Sequence, residues 1–228
     1  MAITEIVLNI NASRICTENR IITLFNYIEL YTPGIVCIQE IDVRIANRIF
    51  KRKYQVFCNY DQNESGYIGV VTLIRRELHI MENIYGIKGR IIGVKLKGLQ
   101  IWNVYPPSGS NFKLQREAFF REELCNLMMN WKDHTKYIIQ AGDHNCTHRK
   151  EDSINNPGDH IQPGLIAHLK VSGLKDSFLE LHGSKAIQFS RVTNRSSTRI
   201  DYIFSNVKCI SFEYVDANMN FDHKVAKA

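Results

Sequence analysis

The sequence predicts an α/β sandwich: two mixed β-sheets packed face to face, with helices outside them. Short β-branched runs alternate with stretches of helical spacing in both halves of the chain. Polar residues gather where those runs end, and nothing between them reads as a linker or an internal repeat. A chain of 228 residues, 44% hydrophobic, can bury one sizeable core, so a single domain over residues 1–228 is expected.

The elements follow in order. The run Ile6-Val7-Leu8-Asn9-Ile10-Asn11 is a strand ending in polar residues. Residues 17–31 place Ile21, Ile22, Leu24, Phe25, Ile28 and Leu30 at helical spacing, and Tyr31-Thr32-Pro33-Gly34 ends that helix. Ile35-Val36-Cys37-Ile38 is a buried strand running into Gln39-Glu40, after which Asp42 caps a short helix to about Phe50. Runs at 54–58, 67–74, 79–87, 90–96 and 99–105, set apart by Asn, Asp, Gly and Lys, predict antiparallel strands. An amphipathic helix over 112–130 and a strand at 137–140 lead into Ala141-Gly142-Asp143-His144-Asn145. A helix at 163–171 begins on Pro163 and stops at Gly173. Strands near 176–181, 187–192, 199–204 and 208–215 complete the chain.

Composition narrows the function classes. The formal charge of +6 favours a polyanionic partner, nucleic acid or a phospholipid surface, although many ordinary domains carry as much. The basic residues are spread rather than blocked, which excludes a basic tail. The six cysteines stand singly with no CxxC pair, so a zinc ribbon or thioredoxin-like motif is not expected and a reducing compartment is. Met1-Ala2-Ile3-Thr4-Glu5 lacks the basic flank and apolar stretch of a signal peptide. No run approaches the roughly 18 apolar residues that span a bilayer, so no membrane partner is expected.

Polar clusters at strand ends carry the chemistry: Asn9, Glu40, Tyr105, Asp143 with Asn145, Asp201, and Asp222-His223 near the C-terminus. Singly, each has an ordinary explanation as a cap, a turn or a solvated strand end. Jointly they supply every part of a phosphodiester-cleaving site. Hard divalent ions take one or two carboxylates plus water and phosphate oxygens, which Glu40 and Asp222 can provide. Asp143 can accept the proton of a nucleophilic water, and the amides of Asn9 and Asn145 can hold water and phosphate. His223, oriented by Asp201, can donate to a non-bridging oxygen.

The segments Leu8-Asn9-Ile10-Asn11, Cys37-Ile38-Gln39-Glu40, Asn103-Val104-Tyr105-Pro106-Pro107-Ser108-Gly109, Ala141-Gly142-Asp143-His144-Asn145-Cys146, Arg199-Ile200-Asp201-Tyr202-Ile203-Phe204-Ser205 and Phe221-Asp222-His223 resemble, in order and over nearly the whole chain, the motifs of the endonuclease/exonuclease/phosphatase superfamily. Within it, NVYPPSG and GDHNC followed by His148-Arg149-Lys150-Glu151-Asp152-Ser153 are most similar to the apurinic-type endonuclease domain of LINE-type (non-LTR) retrotransposons. The resemblance implies a four-layer α/β sandwich and Mg²⁺ as cofactor, with Mn²⁺ a substitute. It implies nicking of a double-stranded DNA target in the nucleus, or otherwise in the cytoplasm. The nick leaves a 3′-hydroxyl that primes reverse transcription, with a reverse transcriptase domain C-terminal in the parent chain. Glu40 would be the main metal ligand, with Asn9 and Asp222 near the ion. Asp143 would position or deprotonate water, Asn145 orient Asp143 or the phosphate, Tyr105 contact the phosphate or leaving group, and Asp201 orient His223.

Three positions depart from the pattern. Phe221 stands where a small Ser is usual, the strand after Asp222-His223 is cut to Lys224-Val225-Ala226-Lys227-Ala228 as in a domain excised from a longer polyprotein, and His144 replaces an aromatic as a packing residue. For DNA contacts the candidates are Arg14, His148, Arg149 and Lys150, with Arg191, Asn194, Arg195 and Arg199 on a hairpin where the resembled branch affects target choice. Three other readings compete: an apurinic/apyrimidinic repair endonuclease, a phosphatase or phospholipase relative, and a catalytically inactive nucleic-acid-binding domain.

Overall fold

A computed structural model describes residues 6–63, 66–131, 136–154, 161–217, 219 and 221–228; the N-terminal residues 1–5, read above for a leader, lie outside them. Two six-stranded mixed sheets face each other. The first contains β1 (Val7–Ile15), β2 (Ile35–Asp42), β3 (Tyr54–Tyr60), β4 (Ile68–Arg75), β13 (Glu213–Val215) and β14 (Val225–Lys227), in the order β13-β14-β1-β2-β4-β3. The second contains β5 (Ile80–Tyr85), β6 (Ile91–Leu96), β7 (Leu99–Val104), β8 (Tyr137–Asp143), β9 (Lys175–Asp176) and β12 (Asp201–Ser205), in the order β5-β6-β7-β8-β12-β9. The parallel neighbours are β1 with β2 and β7 with β8; the other pairings are antiparallel.

Strand period builds the layers, because alternate side chains point to opposite faces. On β1, Leu8 and Ile10 face outward into a core with Ile21, Leu24 and Ile28 of α1 (Glu18–Glu29) and Ala46, Ile49 and Phe50 of α2 (Val43–Phe50). Val7 faces inward with Ile35, Cys37, Ile101, Ile139 and Ala141, forming the apolar seam between the sheets. Trp102, Val104, Tyr202 and Phe204 face the other side. They meet Phe119, Phe120 and Leu124 of a π-helical segment that joins α3 (Lys113–Ala118) to α4 (Cys125–Asn130), and Leu165 and Leu169 of α5 (Pro163–Ser172). This is the four-layer sandwich the sequence predicts.

Local rules set the helix ends. Asp42 accepts from Arg44 N and Ile45 N as the cap of α2, and Gly173 ends α5 in the left-handed region at φ 70°. Where a strand is expected at 176–181, the chain instead forms α6 (Ser177–His182), because Asp176 accepts from Phe178 N and Leu179 N and starts a helical turn. The strand expected at 187–192 contracts to β10 (Arg191–Val192), paired with β11 (Ser197–Thr198), and that at 208–215 contracts to β13. The short tail is a strand in its own right: β14 sits between β1 and β13 with Val225 and Ala226 buried. Among the described residues no helix is long and apolar enough to cross a membrane.

Candidate active site

The two parallel pairs bring four strand ends to one rim, and the inward-facing positions turn from apolar to polar as they approach it. They run Val7, Asn9, Asn11 on β1, Ile35, Cys37, Gln39 on β2, Leu99, Ile101, Asn103 on β7 and Ile139, Ala141, Asp143 on β8. The deeper polar layer is linked by hydrogen bonds: Gln39 Nε2 donates to Asn9 Oδ1 at 2.9 Å and Asn103 Oδ1 at 2.8 Å, and Asn103 Nδ2 donates to the Val71 carbonyl at 2.9 Å, while Asn9 Nδ2 and Gln39 Oε1 are buried without a partner. Asn9 is fully buried in it. Asn11, two residues further on the same face, touches the Asp143 carboxylate: its Nδ2 donates to Asp143 Oδ2 at 2.8 Å. The amide predicted at Asn9 is therefore supplied at the rim by Asn11, a position the period-2 pattern could have offered as the one nearer the strand end.

Asp143 is held on its other oxygen by the Asn145 backbone N–H, donating to Oδ1 at 2.8 Å. Asn145 lies in the left-handed region at φ 51°, and its Nδ2 donates to the Pro106 carbonyl at 3.0 Å, tying the loop after β7 to the site. On the neighbouring antiparallel strand, Asp201 pairs in register with Asp143. Its Oδ2 lies 2.8 Å from His223 Nδ1 and also accepts from Ser190 Oγ at 2.7 Å. Phe221 packs against the outer core without disturbing that contact.

The electrostatics follow from this proximity. Burial, then the Asp201 carboxylate, push the Asp143 carboxyl up to about 7, against the opposing pull of His223. Burial works against a charge on His223, yet the Asp201, Asp143 and Asp222 carboxylates raise it to about 9, so the imidazole is protonated at neutral pH. Burial and the Glu40 and Asp143 carboxylates keep the Tyr105 hydroxyl protonated, and it donates to Glu40 Oε1. Glu40 sits at φ 58°, where the β2–β4 register shifts between Ile38 and Ile41, a bulge that turns its carboxylate to the rim.

Asp222 is half exposed, accepting from Ser13 Oγ at 3.1 Å and from Arg191 Nε at 2.9 Å, with its Oδ1 4.0 Å from His223 Nε2. Burial alone would raise its pKa, but His223 and Arg191 lower it, so it stays ionised.

A divalent ion fits these groups. Glu40 and Asp222 offer hard oxygen donors, and Asp201 Oδ1 is buried with no hydrogen-bond partner although His223 meets the charge on its other oxygen, so a carboxylate oxygen is left unmatched by protein groups. Asp143, Asp201 and His223 also bring ligand-type atoms within 4.8 Å of one another. A histidine held protonated offers no lone pair, however, and this trio is better suited to proton transfer than to ligation.

The predicted DNA contacts divide. Arg14 and Lys150 are exposed, as are Asn194 and Arg195 at the tip of the β10–β11 hairpin. Arg191 is committed to Asp222. Arg199, expected on the surface, is fully buried between Asp152 at 3.0 Å and Asp176 at 2.7 Å. Arg149 donates to Asp152 and to the Ser184 and Ala186 carbonyls, and His148 spans Asp152 and Asp176. Arg149 and Arg199 hold the fold together; most of the groups that claim them lie far off in sequence and gave no local signal. His144 is a packing residue, buried and stacked on Phe120.

Fold and site together have the arrangement of the α/β-sandwich class of hydrolases. The family model described as Endonuclease/Exonuclease/phosphatase matches residues 7–213, and the chain belongs to that family. An AP endonuclease from Archaeoglobus fulgidus superposes with a TM-score of 0.76 at 16% identity, covering 98% of each chain. The 3′-5′ exonuclease NExo from Neisseria meningitidis gives 0.78 at 17%, covering 97% of this chain and 98% of its own. The Neisseria 3′ phosphatase NExo bound to a product DNA hairpin gives 0.79 at 17%, covering 99% and 98%. At these identities the likeness is one of fold. No curated protein sequence matches the chain.

Proposed function

We propose that the protein is a Mg²⁺-dependent endonuclease that hydrolyses a DNA phosphodiester, nicking a double-stranded target in the nucleus to leave a 3′-hydroxyl for reverse transcription. A reverse transcriptase domain of the parent chain would be the natural user of that end. The observation that carries the reading is the convergence on one rim of Glu40, Tyr105, Asn11, Asp143, Asp201, Asp222 and His223. The retrotransposon role rests on the sequence resemblance.

Glu40 and Asp222 would hold a divalent ion, which would supply Lewis-acid stabilisation of charge on the phosphate and leaving oxygen. The chain's own groups do the rest. Asp143, poised near neutrality, takes the proton of the attacking water, while Asn11 Nδ2 and the Asn145 N–H fix the carboxylate's direction. His223, kept charged and oriented by Asp201, donates to a non-bridging oxygen as negative charge grows there. Tyr105 fixes Glu40 and stands beside the leaving group.

The test is supercoiled plasmid with Mg²⁺, with and without chelator. Nicking by the wild type and none by Glu40→Ala or Asp143→Ala supports the reading; duplex binding without nicking supports an inactive DNA-binding domain instead. The fold likeness to an AP endonuclease favours one second reading, repair at abasic sites. A strong preference for abasic over intact duplex would select it.

A further inference from the structure

A cleft of about 270 Å³ opens beside Glu40 and Tyr105, lined also by Arg14, Lys88, Arg90 and Phe112. From this cleft we infer a subsite for one nucleotide of the substrate strand next to the scissile bond, with Lys88 and Arg90 holding its phosphate and Phe112 its base. The inference rests on the proposed nuclease reading and adds residues to it.

The disposition of charge points here. Of the arginines that the sequence offered for DNA, Arg149 is neutralised inside the protein by Asp152 and Arg199 by Asp152 and Asp176, and Arg191 is paired at the surface with Asp222. Among the described residues, Arg14, Lys88 and Arg90 make no ion pair. Glu123 is near enough for both Lys88 and Arg90 to lower its pKa, but its Oε1 accepts from the Ile87 N–H instead. Arg90 Nη1 donates to the Tyr105 carbonyl at 3.3 Å, and its guanidinium lies 5.6 Å from the centre of the Tyr105 ring, which aims its remaining N–H groups without neutralising them. Two adjacent cations left without an ion pair beside a phosphodiester-cleaving rim suit a phosphate, and guanidinium is the geometry that grips one best.

The walls are built in advance. Lys88 stands at φ 52° and Gly89 at φ 65°, and a side chain at Gly89 would run into the Tyr60 backbone. That turn is therefore seated on β3 and presents Lys88 to solvent over the cleft. The opposite wall, the loop after Tyr105, is fixed by the buried Arg116, whose Nη1 donates to the Pro107 carbonyl at 2.6 Å and the Gly109 carbonyl at 3.2 Å. Phe112, 47% exposed at the mouth, offers a ring on which any base can stack. The small volume suits a single nucleotide rather than a duplex.

The test uses a labelled duplex carrying one nick site and a neutral methylphosphonate at each linkage in turn. Wild type should lose at least tenfold in cleavage when one linkage adjoining the cut is neutral, and Lys88→Gln with Arg90→Gln should show no such loss there. The slope of log Kd against log salt, measured with chelator present, should flatten in that variant by about 0.9 for each phosphate it no longer holds. Removing the base of the adjoining nucleotide should weaken wild type but leave Phe112→Ala unaffected. A variant that keeps the wild-type penalty at every linkage, with an unchanged slope, overturns the subsite while the nuclease reading stands. A wild type that neither binds nor cuts the duplex overturns both.

Discussion

Asp143 and His223 share one buried neighbour, Asp201, and that sharing sets their protonation. Because Asp143 is pushed up to about 7 and His223 to about 9, kcat/KM for nicking should rise as pH climbs through about 7 and fall above about 9. The two limbs belong to the coupled trio, so replacing Asp201 by Asn should move both. A profile flat across that range contradicts the assignment. The same shift bears on stability. The folded pKa of His223 lies above its unfolded value of about 6.5. Its contribution is therefore full below that value and is lost as pH rises through about 9. Asp143→Asn should cut the nicking rate by roughly 10²–10⁴-fold while leaving the melting temperature unchanged or higher, since it removes a buried carboxylate from beside Asp201. Asp222 is paired with Arg191, so a metal held there would have to compete with that ion pair. Arg191→Gln should therefore tighten Mn²⁺ binding, read by electron paramagnetic resonance, by about two- to fivefold, the worth of an exposed ion pair. Weaker binding in that variant would show that Arg191 orients Asp222 for the ion instead.

At the scale of the element, β8 and its backing helices carry a second pH dependence. Gln140 bridges His144 at 3.0 Å and His168 at 2.7 Å, and burial lowers the two imidazoles to about 3 and about 4. Both are neutral when folded and protonate in the unfolded chain, so stability should fall as pH drops below about 6.5, by roughly 2 kcal/mol per histidine at about pH 5. His144→Phe should remove about half of that acid sensitivity in urea melts at two pH values. At neutral pH it should cost about 1 kcal/mol, because the Gln140 amide loses its acceptor. An unchanged acid limb would sink this account. Sequence pattern revealed these strands well: the short β-branched and apolar runs of β1, β2, β7 and β8, with the runs around them, put Glu40, Tyr105, Asp143 and Asp201 at strand ends. That pattern pointed to Asn9 and passed over Asn11, which shares its face and contacts Asp143, because how far β1 runs before its bulge is not written in the local residues. It misread 176–181 because Phe178, Leu179 and Leu181 look the same in a strand as in a one-sided helix, and only the Asp176 cap decides.

Across the whole molecule, the net charge of +6 says less than where the charges are spent. Arg199 lies inside the second half of the sandwich with Asp152 and Asp176, and Arg199→Met should destabilise the fold by about 3–5 kcal/mol in urea while leaving the salt dependence of DNA binding unchanged. A flattened salt slope with little loss of stability would mean that Arg199 reaches solvent and DNA after all. Long-range pairings of this kind were not legible in the sequence, since Asp152 and Arg199 are separated by 47 positions. The convergence at the rim was inferred from residue types and motif order, and the sandwich supplies its geometry. The direct test is anomalous scattering from Mn²⁺ in crystals of the protein with an uncut duplex. The account predicts an ion peak about 2–2.5 Å from a Glu40 carboxylate oxygen, with a backbone phosphate between it and the Asp143–His223 pair. An ion bound away from Glu40, or DNA crossing a face remote from that rim, would contradict it.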